Sequence, residues 1–326
     1  MSNATKHKKY ISQFPMMGTI ISLTLFEKND SAVFDVYDYL QQMDQVFSAN
    51  RPDSVLAKIN QNAGKQPVKV SKECFELVTD AVAYSKEYSD SFNVLIGPLV
   101  KTWKIGFGGR QVPNQVEIDH DLKLIHLDEV RLNQKQRTVY LTKKGMQLDL
   151  GAIAKGYFAD QIIHRLANHG VTSGIINLGG NVQVLGQNPL AASGLWGIGI
   201  RDPRYEDGRS LAVVHTTAKT FVTSGIRERY FKIGNHIYHH ILNPQTGYPE
   251  KSDMVQVTII TDNSELAEVL STVCFFRGSQ RGKQLVDQLP NVEAIFVNQN
   301  NELITTNGLE KQREGVYGYE SYRKAN

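Results

Sequence analysis

The stretch "DLGAIAKGYFADQ", residues 149–161, joins two kinds of hydrophobic pattern. The segment before it, "RTVYLTKKGMQLDL" (137–150), alternates and reads as a strand or hairpin. Beyond it, Ile153, Tyr157, Ile162 or Ile163, and Leu166 recur at helical spacing, and Gly170 closes the helix as its C-terminal cap. An acid, two glycines and a lysine therefore stand at the mouth of a helix. A helix N-terminus has unpaired N–H groups and a partial positive charge, so it attracts phosphate, and Lys155 adds a full charge there. Gly151 and Gly156 let a ligand or a neighbouring backbone come close. Asp149, at the strand end, can accept hydrogen bonds from a base or ribose. A plainer reading fits equally: Asp149 caps the helix, Lys155 is solvated and the glycines make turns.

Working outward, "MGTIISLTLF" (17–26) reads as a strand. A helix follows over 30–48, with Val33, Phe34, Tyr37, Leu40, Val46 and Phe47 as its apolar stripe and Asp30 or Ser31 as its cap. Another runs from Ser71 to Tyr88, capped by Ser71, and the polar stretch 48–64 between them is rich in turn residues. Residues 89–109, "SDSFNVLIGPLVKTWKIGFGG", suit a buried loop or short helix near a ligand. Towards the C-terminus, strands fit 173–186, 194–203, 210–225, 236–242 and 254–262. Helices over Ser264 to about Arg277 and Gly278 to Leu289 come next, and a strand over 292–299 closes the series. No tandem repeat or Pro/Gly/Ser-rich linker divides the chain. The expectation is an α+β fold with mixed or antiparallel sheets and packed helices. Residues 13–326 would form one compact unit, with room for two similar, intimately packed halves, after an N-terminal extension over 1–12.

Composition narrows the function. The 326 residues are 41% hydrophobic and 21% charged, ordinary for a globular protein, which sets aside fibrous and disordered classes. Thirty-six basic and 33 acidic residues are spread along the chain and leave no basic stripe for nucleic acid or an anionic membrane. Cys74 and Cys274 lie in apolar patterns without zinc-ligand spacing and read as buried thiols. The N-terminal lysines precede no apolar run, so neither a signal peptide nor a membrane segment is visible and a cytoplasmic location is expected. Ser2-Asn3-Ala4 matches the remnant of a removed tag, which keeps an exported lipoprotein, trimmed for expression, as the alternative.

Two more stretches carry chemistry. In "DNSELAEVLSTVCFF" (262–276), Glu268 and Thr272 are four apart and share a helix face, presenting a carboxylate and a hydroxyl oxygen of the kind that suits Mg2+. A solvated glutamate and a threonine bonded back to its own helix would give the same pattern. In residues 222–249, turns at Thr223–Gly225 and Asn243–Gly247 bracket His239 and His240. Adjacent strand residues face opposite ways, so at most one of these histidines faces a site.

Nine stretches in this order resemble the ApbE family, the FAD:protein FMN transferases: "MMGT", "FSANRPDSVLAKIN", "SFNVLIGPLVKTWKIG", "DLGAIAKGY", "NLGGN", "WGIGIRDP", "VTSGIRERYF", "YHHILNPQTGYP" and "LAEVLSTVCFFRG". The resemblance covers nearly the whole chain. It implies an enzyme that binds FAD and, with Mg2+, transfers the FMN part onto a threonine or serine of a target flavoprotein, releasing AMP. By the same resemblance Lys155 would hold the pyrophosphate and Asp149 the flavin nucleotide. Met17 would pack on the flavin nucleotide, Asn50 would sit where members vary between tyrosine and asparagine, Ser91, Phe92 and Asn93 would form the adenosine-side loop, and Leu242 would line the FAD cleft. The Ala152 carbonyl, Glu268, Ser271 and Thr272 would hold the metal. Lys155 and His240 would be the catalytic pair, with His240 handling the proton.

Four positions depart from the family's usual acids: Asn93, Ile226 and Asn243 stand where an aspartate is common, and Glu268 replaces an aspartate. Fewer carboxylates near the metal, together with Asn50, leave two alternatives beside the transferase. One is an FAD pyrophosphatase making FMN and AMP; the other is a non-catalytic FAD-binding protein.

Overall fold

The computed structural model describes residues 8–48, 51–205, 208–300, 302–311 and 318–321. It begins with a hairpin, β1 (Tyr10–Met16) and β2 (Thr19–Leu25), in register from Tyr10 opposite Leu25 to Met16 opposite Thr19. Met17 and Gly18 close it with φ of 53° and 73°, the paired positive values that match the twist of a two-residue hairpin turn. The strand read at 17–26 is β2, with Met17 and Gly18 in the turn before it. The N-terminal extension read over 1–12 is corrected at its end, since Tyr10 to Ser12 are paired in β1. Ser2 to Ala4 lie outside the described residues.

Helix α1 (Asp30–Phe47) is capped by Asn29, whose side chain accepts from the Ala32 N–H, one residue before the caps expected. Its buried stripe is Ala32, Val36, Tyr39, Leu40, Met43 and Phe47, while Phe34 is 67% exposed. The buried stripe is rotated from the expected one because Ala32, a small residue suited to a close contact, faces the core in place of Phe34. Next come α2 (Val55–Gln61), β3 (Val68–Lys69), α3 (Lys72–Glu87), α4 (Gly97–Trp103), α5 (Gln115–Leu122), β4 (Val130–Asn133) and β5 (Thr138–Leu141). Ser71 caps α3 as expected, and α4 is the short buried helix anticipated in 89–109.

Helix α6 (Ala154–Asn168) then leads into β6 (Gly174–Leu178), β7 (Asn181–Leu185), β8 (Trp196–Arg201), β9 (Ser210–Thr216), β10 (Thr220–Gly225), β11 (Tyr230–Ile233), β12 (His236–His239) and β13 (Met254–Thr261). The chain ends with α7 (Ser264–Val286), β14 (Glu293–Asn298), β15 (Leu303–Thr305), α8 (Asn307–Lys311) and β16 (Gly318–Ser321). Gly278, at φ 71°, breaks α7 where two helices were expected.

Eight strands form one sheet in the order β1-β2-β6-β7-β10-β13-β14-β15, antiparallel throughout. One face carries α1, α6 and α7. The other is covered by the sheet β16-β9-β8, where Ile200, Ala212 and Val214 meet Phe221, Ile260 and Ile295. Phe158 of α6 packs against Tyr39 and Phe47 of α1, so α6 is held between α1 and α7. Its burial over Tyr157, Ile162 and Leu166 follows the periodicity read from the sequence.

Candidate active site

The close approach of α6 to α7 builds the site. A Cβ on Gly156 would lie 2.2 Å from the Ser264 carbonyl oxygen and 2.7 Å from the Glu265 Cα, so only glycine admits this contact. One turn further along α6, Asp160 accepts from the Ser264 and Glu265 N–H groups at 3.0 Å and so holds the start of α7 with a carboxylate. The two helix mouths are thereby fixed side by side, and Lys155 Nζ comes within 3.9 Å of Glu268 Oε1. The mouth of α6 has no side-chain cap. Asp149 does not cap it; its Oδ1 accepts from Gly151 N–H at 2.8 Å in a local turn, and burial raises its carboxyl above the usual range, opposed by that bond and by the Arg229 charge.

Glu268 is buried and sits at the end of the large sheet where β7 begins. Asn181 Nδ2 donates to Glu268 Oε1 at 2.9 Å and to Ser264 Oγ at 2.8 Å. Ser271 Oγ donates to the Glu268 carbonyl and pairs with Ser224 Oγ, both at 2.8 Å, which spends much of its hydrogen-bonding capacity inside the fold. Thr272, half-buried one turn beyond Glu268, has no hydrogen bond on its hydroxyl among the described residues. The Glu268 carboxylate and the Thr272 hydroxyl are hard oxygen donors that fit Mg2+, which keeps waters and takes few protein ligands. No group of three or more His, Cys, Asp or Glu side chains gathers into a metal cluster among the described residues.

The two histidines differ in their surroundings: His239 ends β12 and His240 follows it outside the strand. His239 is buried, its ring edge-on to Phe275 and its Nε2 against the Glu250 carbonyl at 2.9 Å. His240 Nδ1 lies 3.3 Å from the Arg229 carbonyl, which can only accept, so Nδ1 carries the proton and Nε2 presents a lone pair. Burial, with the Arg229 charge, pushes its pKa down to about 4. Nε2 faces the Glu228 carboxylate at 4.0 Å, and the surroundings of Glu228 include Lys155, Glu268, Arg229 and Arg201. Glu228 was not singled out in the sequence; the signal available was an acid three residues after Gly225 on the same glycine-bearing turn.

Other expected residues take varied places. Met17 sits in the β1–β2 turn, half-buried, and that turn touches the β6–β7 turn, since a Cβ on Gly179 would lie 2.5 Å from Thr19 Oγ1. It thus shares the sheet end that carries Asn181. Phe92 and Ser91 are buried, with Ser91 Oγ donating to Asp90 at 2.9 Å. Their loop adjoins Asp149 through the Asp149 N–H to Val94 carbonyl bond of 2.8 Å. Asn93 serves that loop, accepting from Leu95 N–H and donating to the Ile125 carbonyl, each at 2.9 Å. Leu242 is buried and bridges to Pro249. Asn243 accepts from Gln245 and Thr246 N–H, a turn task an amide performs as well as an acid. Ile226 packs against the core. Asn50 lies outside the described residues.

The sequence profile of the ApbE family matches residues 17–296. The chain belongs to the ApbE family. Its relatives include the FAD:protein FMN transferase of Klebsiella pneumoniae, 36% identical over 289 residues and 89% of each chain. The enzyme of the same name from Treponema pallidum is 36% identical over 298 residues, covering 86% of this chain and 82% of that one. The ApbE protein of Thermotoga maritima superimposes with a TM-score of 0.84 at 26% identity, over 93% of this chain and 99% of the other. The ApbE fold therefore accounts for the antiparallel sheet and its helical layer, and no described helix is long and apolar enough to cross a membrane.

Proposed function

We propose that this ApbE-family chain moves the FMN part of FAD onto a threonine or serine hydroxyl of a target flavoprotein, with Mg2+ bound and AMP released. The observation that carries this reading is the 3.9 Å approach of Lys155 to Glu268. It sets an uncapped, cationic helix mouth beside an oxygen-donor face, the pairing that a pyrophosphate and its cation require. The shared name of the Klebsiella and Treponema relatives supports the reaction class.

In this reading Lys155 and the free N–H groups at the start of α6 hold the pyrophosphate. Glu268 and Thr272, with the Ala152 carbonyl and Ser271, hold the metal, which would supply charge neutralisation on the phosphates. Asn181 fixes the Glu268 carboxylate so that its second oxygen stays available. Asp149 and Met17 border the flavin nucleotide, Ser91, Phe92 and Asn93 shape the adenosine side, and Leu242 lines the cleft. Catalysis comes mainly from positioning and from charge stabilisation as the hydroxyl attacks in line. His240, neutral at pH 7 with Nε2 free of a proton, receives the hydroxyl proton.

AMP release from FAD in Mg2+ tests the site. Lys155→Ala and Glu268→Ala are each expected to lower it about 10²-fold or more. Release unchanged in both variants would remove the chemistry from this junction.

A further inference from the structure

We propose that Glu228 is the positioning residue for proton transfer at this site, taking up the charge that forms on His240 and giving the proton its way out to water. This rests on the transferase reading. The His240 side chain is 25% exposed and the Glu228 side chain 43%, so the pair runs from the inner site to solvent. The Arg229 carbonyl fixes the imidazole proton on Nδ1, which turns Nε2, the proton-accepting atom, towards Glu228 Oε2 at 4.0 Å. Once Nε2 is protonated, a carboxylate stands opposite a new cation.

That cation has few other friends. The charged groups around His240 are Arg229 and Lys155, with His239 beside it, and each of them opposes a proton on the ring. Around Glu228 stand Lys155 from α6, Glu268 from α7, Arg201 at the end of β8 and its neighbour Arg229. Glu228 is thus the carboxylate placed to offset the cations at the point where the proton arrives. Glu268 is tied instead to Asn181 and Lys155.

The step balances. The acceptor O–H bond breaks and its proton goes to His240 Nε2, while the oxygen forms a bond to the FMN phosphorus. The bond from that phosphorus to the bridging oxygen breaks, and its electron pair leaves with AMP. Once Nε2 is protonated and the pair closes its 4.0 Å gap to hydrogen-bond distance, the proton passes to the Glu228 carboxylate and on to water.

The test uses the full chain, FAD, Mg2+ and an unmodified flavoprotein domain that a characterised transferase flavinylates, with that transferase as the positive control. The readouts are FMN mass on the domain, kcat and KM for FAD from pH 3 to 9, and thermal melting. Glu228→Gln is expected to keep KM for FAD and the melting temperature, to lose about 10²-fold in kcat, and to shift the acid limb of kcat to lower pH, because removing a negative charge lowers the proton affinity of His240. Glu228→Asp, which keeps the charge, is expected to recover part of the rate. A Glu228→Gln rate within about threefold of the native chain with an unmoved acid limb would overturn the assignment. So would a loss that Asp does not relieve and that lowers FAD binding and melting together. A native chain that adds no FMN while the control does would sink the transferase reading itself, a different result from either.

Discussion

His240 is committed before any substrate arrives. A carbonyl oxygen on Nδ1 leaves one tautomer, and burial beside cations keeps the ring neutral, with a pKa of about 4 against an ordinary value of 6.5. The linkage has a definite sign. Between pH 6.5 and 4 the unfolded chain binds a proton that the folded chain refuses, so this residue makes stability fall as pH drops through that window. Above pH 6.5 both states hold it neutral and the effect vanishes. Denaturant unfolding of the native chain and of His240→Gln should therefore diverge as pH falls from 6.5 to 4, the native chain losing about 3 kcal/mol more at most. Parallel pH dependence of the two chains would contradict the buried, neutral histidine. At this scale the sequence was partly legible. Lys155 and Glu268 were both legible from their motifs. Their contact was not, since 113 positions separate them. Glu228 was not legible, because which side chain beyond the turn reaches back to His240 depends on the path of β11 and β12, while Ile226 packs against the core.

At the scale of elements, the site depends on how near α6 can come to α7. Gly156→Ala places a methyl against the Ser264 backbone, and neither helix can yield without disturbing α1 or the sheet. The expected cost is about 3 kcal/mol or more, read as a lower melting temperature. A second consequence separates this from ordinary overpacking, because the variant should also lose AMP release more steeply than FAD binding as Lys155 moves away from Glu268. A Gly156→Ala chain with native melting and native release would show that the contact is not needed. The helices themselves were readable where their apolar stripes were long, as in α3 and α6. Helix α2 was missed because seven residues give only Leu56 and Ile59 to the core, although Ser54 caps it. The hold of Asp160 on α7 had no local signal, since its partners lie 104 and 105 positions away.

The whole molecule brings these parts together by sheet order. β7 lies between β6 and β10, so Asn181 at the start of β7, the Gly179–Gly180 turn and the end of β10 all reach the same edge. Met17 arrives there through β2, which pairs with β6. Strand existence was largely legible from alternation and glycine turns, and the family resemblance implied the overall class. Neighbour order was not, because β10 and β13 pair across a 28-residue interval holding β11, β12 and the site histidines. Asn93 and Asn243 serve turns, and the candidate site carries carboxylates at Asp149, Glu228 and Glu268. The central claim is that this assembly joins FMN to another protein. Incubating the chain with FAD, Mg2+ and the flavoprotein domain, then weighing the domain's threonine and serine peptides by mass spectrometry, tests it most directly. The account predicts one peptide heavier by the FMN phosphodiester, matched by an equal amount of AMP. AMP with no heavier peptide would make the chain a pyrophosphatase, and neither product from bound FAD would leave it a flavin-binding protein; either result would contradict the account.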